Sequence, residues 1–193
     1  MPLWGTTHDS ATNKPKWAPT DENSDYSKGD IYATNSGWVQ QAGTAASGND
    51  NTDADPEVLV AIGGLAGTSG TTGLRAATAT SMRFVQSSYA AGSRTITVEV
   101  TWDEGVTVTG TPQLVVDNDS RANHTLSYTA TGSTANRKRF TAASQTVGED
   151  DVLTIGGSNV TLNGGTIKDT ASGSVNSSLV LSGLTAVTST VTA

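Results

Sequence analysis

The sequence predicts an all-β chain, a two-sheet β-sandwich preceded by an extended, mostly irregular N-terminal arm. Three observations carry this expectation. From Thr80 onward apolar and polar residues alternate in short runs, which Gly, Asp, Asn and Pro interrupt about every 8 to 12 positions, as turns interrupt the strands of a sandwich. No stretch sustains a helical period. Residues 1 to about 57 hold neither period and are rich in Thr, Asn, Asp, Gly and Pro, a composition expected of an arm.

The pattern is clearest over residues 94–102. Ile96, Val98, Val100 and Trp102 fall on one side of a two-residue period, and Thr95, Thr97, Glu99 and Thr101 on the other, which is a strand with one buried face. A helix would scatter those four residues. Each contributes about 2 kcal/mol when fully buried, so this strand requires an opposing sheet.

Taken in order, the arm contains Pro2, Pro15, Pro19 and Pro56, which break helices and favour extended backbone. It also holds Trp4, Trp17 and Trp38, three of the four tryptophans, with Tyr26 and Tyr32. Two readings follow. In one, Trp4, Trp17, Tyr32 and Trp38, with Val58 and Val60 just beyond, bind a partner chain as aromatic and aliphatic anchors. In the other they pack on the chain itself, for example as a small hairpin of residues 30–33 and 37–40 turning at Asn35-Ser36-Gly37. The alternation Asn49, Asn51, Asp53, Asp55, Glu57 is reminiscent of a calcium loop, but an EF-hand needs a central Gly and flanking helices. It is read as a solvated acidic loop. Residues 56–66 form a continuous apolar run, expected as a strand buried on both sides or set against another subunit. The G-T-S-G-T-T-G of 67–73 has the composition of a hinge and lacks the order of a phosphate-binding loop.

Strands are then expected around Met82 and Phe84, over 94–102, at Val106 and Val108, over 113–116, 123–130, 137–142 and 152–155, and at Val160 with Leu162, Ile167, and Leu179 with Leu181. The expected organisation is a docking arm or small β module over 1–66, a flexible linker over 67–79, the sandwich over 80–187 and a tail over 188–193.

The chain carries 11 Lys and Arg against 18 Asp and Glu, a formal charge of -7, which speaks against a groove that neutralises phosphates. The one basic cluster, Arg137, Lys138 and Arg139, lacks accompanying aromatics and is read as solvated charge on a strand or turn. There is no cysteine, which excludes disulfides, thiol nucleophiles and sulfur-ligated zinc. The start lacks the basic and apolar regions of a secretory signal, so N-x-[ST] triplets at Asn118, Asn123, Asn159 and Asn176 imply no glycans. The longest apolar run, 58–62, is too short to span a bilayer.

Catalytic motifs are not found. The histidines are His8, in the arm, and His124, read as a surface or hydrogen-bonded strand residue. No G-x-S-x-G occurs. The acids at Asp103 with Glu104, and at Glu149, Asp150 and Asp151, are read as turn residues that cap backbone N–H groups rather than as a glycosidase pair. Asp117, Asp119 and Asp169 could hold calcium between loops, but the turn reading leads. No catalytic residue, cofactor or metal is expected.

The segment D-E-G-V-T-V-T-G-T-P-Q-L-V-V-D-N at 103–118, with L-S-Y-T-A at 126–130 and L-N-G-G-T-I-K-D-T-A-S-G at 162–173, resembles the immunoglobulin-like repeats of bacterial surface proteins. Those repeats read V-x-G-x-P-x-L early and L-N-G-G-T-I-x-D late. The resemblance covers about 100 residues and implies an immunoglobulin-like β-sandwich; the Cys-Trp-Cys pattern of antibody domains is missing. M-P-L-W-G at 1–5, K-P-K-W at 14–17, G-W-V at 37–39 and E-V-L-V-A-I at 57–62 resemble virion structural proteins from tailed phages of marine cyanobacteria. That resemblance implies a non-enzymatic virion structural protein made in the host cytoplasm and carried on the particle surface. A capsid decoration or cement protein, anchored by its arm and displaying the sandwich, is the leading expectation. Its partners would be other virion proteins, the major capsid protein or neck and tail proteins, in many copies per particle, with self-association as a further option and without nucleic acid or membrane. The alternatives are a neck- or tail-associated protein, a module binding host-surface glycan or receptor, and a carbohydrate-active enzyme. A glycan platform would need exposed aromatics, for which Tyr89, Tyr128 and Phe140 remain.

Overall fold

The computed structural model describes residues 28–44, 47, 49–67, 73–173 and 175–193. Trp4, Trp17, Tyr26 and His8 lie outside them. Among the described residues the chain forms thirteen strands, one 3-10 turn at Lys28–Asp30 and no α-helix. The fold is all-β, with curled sheets in the manner of a β-sandwich, as the alternation predicts.

The chain divides into two compact units. The N-terminal unit gathers the described residues up to Thr80 with two later segments, Trp102–Thr107 and Lys168–Ser178; the sheet unit comprises Ser81–Thr101, Val108–Ile167 and Leu179–Ala193. The expected boundary of an uninterrupted sandwich over 80–187 is therefore corrected, because two stretches inside it fold with the N-terminal residues.

The N-terminal unit is built on strands β1 (Ile31–Thr34), β2 (Gly37–Gln40) and β3 (Glu57–Ala61), in the order β1-β2-β3. β1 and β2 form an antiparallel hairpin with Tyr32 opposite Val39 and Ala33 opposite Trp38. The turn uses Gly37 at a φ of 128°, where a Cβ would collide with the carbonyl of Val60, so only glycine suits the position. Ile31, Ala33, Trp38, Leu65, Ala66 and Leu74 make the core, and Leu59, Val60 and Ile62 pack against it. Of the arm or small β module expected over 1–66, the described residues from 28 onward form the small β module, with the hairpin that self-packing of the aromatics implies. The aliphatic residues that the hairpin lacks are supplied by 59–66 and by Leu74. β3 is an edge strand, half-exposed along its length, and not buried on both sides. The expected linker is likewise packed where it is described, with Ala77 fully buried and Leu74 N–H bonded to Leu65 O at 2.8 Å.

The remaining strands are β4 (Ala79–Phe84), β5 (Tyr89–Ala90), β6 (Gly92–Trp102), β7 (Val106–Thr109), β8 (Gln113–Asn118), β9 (His124–Thr129), β10 (Arg137–Val147), β11 (Val152–Ile155), β12 (Thr166–Asp169) and β13 (Val187–Thr192). Eight of them form one sheet in the order β4-β6-β10-β9-β8-β11-β13-β5, while β7 pairs with β12. In the register Val98 faces Phe140 and Leu114 faces Leu126. Ile96, Val98, Leu114, Leu126, Phe140 and Leu153 are each fully buried.

The sheet curls because its two edges meet. Phe84 on β4 and Tyr89 on β5 stand edge to face with ring centroids 5.8 Å apart, in the geometry that the ring quadrupoles favour. Gly156, just after β11, has a φ of 110°, and a Cβ there would strike the methyl of Met82 on β4.

Two further expectations are corrected. Residues 188–193 are no tail: β13 pairs antiparallel with β11 and parallel with β5, and Val191 is fully buried. Conversely, Val160 with Leu162 and Leu179 with Leu181 form no strands; Val160 N–H donates to Leu179 O at 3.0 Å, and Val160 and Leu181 are buried from loops.

Candidate functional site

Three polar clusters lie within the fold, and the first is centred on Glu99. β4, β6 and β10 are neighbours, which sets Arg83, Glu99, Arg137 and Arg139 on one face of the sheet. Arg83 donates to Glu99 Oε1 through Nε at 3.0 Å and Nη2 at 2.9 Å, Arg139 Nε donates to Oε2 at 2.9 Å, and Arg137 Nε lies 3.8 Å from Oε1. Burial alone would raise the Glu99 pKa, but Arg83, Arg139 and Arg137 together hold it below the usual carboxylate range. The basic run 137–139 is thus not solvated charge. Its arginines point to a buried carboxylate, while Lys138 faces the other way, is itself buried, and donates to Thr134 O at 2.6 Å. Burial brings the Lys138 pKa down to about 8.

The second cluster surrounds His124, at the start of β9. His124 Nε2 is 3.3 Å from Asn118 Nδ2 and Nδ1 is 3.0 Å from Gln145 Oε1. Asn118 Oδ1 accepts from Ser120 N–H and Arg121 N–H at 3.1 Å each, which turns the Nδ2 donors toward the histidine and Asp151. These partners assign the Nδ1–H tautomer, with Nε2 accepting. Both ring nitrogens are engaged, so a general base would first have to break one of these bonds. Asp151 is held below its ordinary range, first by the Gly148 N–H and the Asn118 amide, then by Arg121. Beside this network Arg121, Asn123, His124, Gln145 and Thr146 line an open cleft of about 320 Å³.

The third cluster lies in the N-terminal unit, where Asp103, Glu104 and Asp169 are 2%, 1% and 0% exposed. Asp103 Oδ1 accepts from Thr78 N–H at 2.7 Å, and Asp169 Oδ1 caps Ala171 N–H at 2.7 Å and Ser172 N–H at 3.1 Å. Asp103 and Glu104 were expected in an exposed turn. Both are buried within the N-terminal unit, and no pattern local to the pair announces it.

The expected calcium positions are not brought together. Asp117 Oδ1 accepts from Asn123 Nδ2 at 2.8 Å and Asp119 Oδ1 from Val152 N–H at 2.8 Å, both in the sheet unit, whereas Asp169 belongs to the N-terminal one. Asn49 Oδ1 and Asn51 Oδ1 accept the N–H groups two residues on, so the acidic loop is a series of Asx turns. Among the described residues no group of three or more His, Asp or Glu side chains is placed to hold a metal. The expected result of EDTA treatment is an unchanged thermal midpoint, measured by circular dichroism.

Of the six candidate anchors, Trp4 and Trp17 lie outside the described residues. Tyr32 and Trp38 are 5% and 0% exposed, Val60 packs on the core, and Val58 is 52% exposed on β3. Self-packing therefore takes Tyr32 and Trp38, which corrects their reading as partner contacts. Burial also pushes the Tyr32 hydroxyl up to about 12. Tyr89 and Phe140, named for a glycan platform, are buried and serve the interior, while Tyr128 is half-buried and leans edge-on against Phe140.

Fold and clusters together define an all-β protein whose polar interior is organised by strand pairing. No family model, curated protein or solved structure matches the chain.

Proposed function

We propose that this chain is a non-enzymatic structural protein of a virus particle, a capsid decoration or cement protein that docks by its N-terminal residues and displays an immunoglobulin-like β-sandwich. The observation that carries the reading is the closure of the polar groups of the sheet unit. Glu99 is held by three arginines, His124 by Asn118 and Gln145, and Asp151 by Asn118, Gly148 and Arg121. Groups committed in this way stiffen a scaffold. The sequence resemblances of the arm and of residues 103–173 point in the same direction.

With Tyr32 and Trp38 in the interior, docking falls to Trp4 and Trp17, assisted by Val58 on the edge strand β3. Aromatic anchors supply large terms in an interface, and symmetry multiplies a modest affinity on a particle. The test offers wild-type protein and the Trp4→Ala, Trp17→Ala double variant to particles assembled without the chain. Occupancy is expected to fall at least tenfold in the variant while its thermal midpoint stays put. Normal occupancy would remove the arm from the docking role. Labelled protein confined to one axial end of the particle would move it from the shell to the neck or tail.

A further inference from the structure

Glu104 and Asp169 are interior carboxyls contributed by the two late segments that join the N-terminal unit, Trp102–Thr107 and Lys168–Ser178. As carboxylates, neither oxygen of Glu104 nor Oδ2 of Asp169 has a hydrogen-bond partner, a costly state for buried charge. A hydrogen bond between two carboxyls exists only while one carries a proton. With Glu104 protonated, it donates to Asp169, which removes the repulsion between two buried charges and leaves one Glu104 oxygen without a partner.

The surroundings favour that state. Burial is the main cause that pushes the Glu104 pKa up to about 9, followed by the charge of Asp169 and then that of Asp103. β1 meets the site at Ala33, which is bridged to Glu104 and donates its N–H to Asp103 O at 2.7 Å. Ahead of β1 lies Asp30, another buried acid. Lys168, next to Asp169 on β12, is half-buried. The charges acting on Glu104 are thus both negative.

We propose that Glu104 and Asp169 form a proton-sharing latch that secures segment 168–178 within the N-terminal unit at neutral pH and releases it in alkali. The segment is also held by the pairing of β12 with β7 and by the Thr107 Oγ1–Thr170 Oγ1 hydrogen bond at 2.9 Å. Thr170 N–H donates to Gly105 O at 2.9 Å, Ser178 N–H to Ala77 O at 2.8 Å and Trp102 Nε1–H to Ser178 O at 3.1 Å. When the shared proton leaves, two adjacent buried charges repel each other, and opening the segment to water relieves them.

The sign follows from proton counts. Glu104 binds a proton below about 9 when folded and below its ordinary 4.5 when unfolded. The stability it confers is complete below 4.5 and is lost as pH rises toward 9. For one proton the opening equilibrium grows about tenfold per pH unit across that window.

Peptide-resolved hydrogen exchange on the full chain, corrected for the intrinsic rise of exchange with pH, reads the opening of 102–107 and 168–178. Between pH 6 and 9 the wild type is expected to open about tenfold more per unit, while Glu104→Gln, which keeps a donor without an ionisable proton, is flat. Asp169→Asn retains the Oδ1 caps on Ala171 and Ser172 and removes the neighbouring charge; burial still raises Glu104, so the rise in opening levels off at a lower pH than in the wild type, and this variant serves should Glu104→Gln fail to fold. Three results would overturn the latch: a wild-type profile already flat, a Glu104→Gln slope as steep as the wild type's or an Asp169→Asn profile that levels off no earlier, or protection restored at pH 9 by millimolar Ca²⁺. The last would mean that a cation, not a proton, balances the pair.

Discussion

Val98→Asp is expected to destabilise the sheet unit by at least about 4 kcal/mol, the largest effect of any substitution considered. Val98 is fully exposed to neighbours and not to water, at 0% accessibility, and its partner across β6 and β10 is Phe140, equally buried. The substitution removes about 2 kcal/mol of apolar burial. It also places a carboxyl where nothing polar answers it, at a further cost of several kcal/mol whether the group stays charged or takes up a proton. Natural domains are stable by about 5 to 15 kcal/mol, so the variant spends most of that margin. Thr95→Asp, on the same strand at an exposed position, should shift stability by no more than about 0.5 kcal/mol. Urea titrations followed by circular dichroism separate the two. Equal midpoints would mean that the faces of β6 have been assigned the wrong way round.

Trp38→Ala should cost the N-terminal unit about 3 to 5 kcal/mol. Its side chain is 0% exposed among Ile31, Ala33, Leu65, Ala66 and Leu74. The indole Nε1–H is buried without a hydrogen-bond partner. Removing an unsatisfied donor recovers part of what is lost with the ring volume, so Trp38→Phe should be much milder than Trp38→Ala. This pair of variants discriminates between core and docking roles. A tryptophan serving only as an anchor would leave stability unchanged on substitution and reduce particle occupancy instead. Hydrogen exchange of 29–41 in the isolated protein reads the difference directly.

Much of the sheet unit was legible in the sequence because its strands obey the two-residue period. Residues 152–155 and the central strand stand where the alternation placed them, and the hairpin of β1 and β2 was foreseen as one of two options for the aromatic residues. β13 could have been read too: V-T-S-T-V-T alternates from Val187 to Val191, and only its position at the end of the chain suggested a tail. The loops bearing Val160 and Leu181 went the other way. Apolar residues at a turn look like strand residues when their burial comes from segments distant in sequence.

The clusters were less legible than the strands. Glu99 lies on the face of β6 that alternation assigns to water, yet it is 2% exposed. Three arginines on two neighbouring strands reach it, and strand order is not written in any single strand. The same applies to Asp103 and Glu104, whose sequence is that of an exposed turn.

By itself, then, the sequence determined the all-β class, most strand positions, the inward face of β6 and the absence of cysteine chemistry, because these depend on residue type and on a period of two. Tertiary structure alone decided that β1 and β2 pack a core with residues 59–66 and Leu74, that two segments within the expected sandwich fold with them, and that Glu104 meets Asp169. Those outcomes depend on contacts between residues up to about 65 positions apart in the case of the two acids. Local propensity sets no register over such separations; the free energy of burying the assembled side chains does.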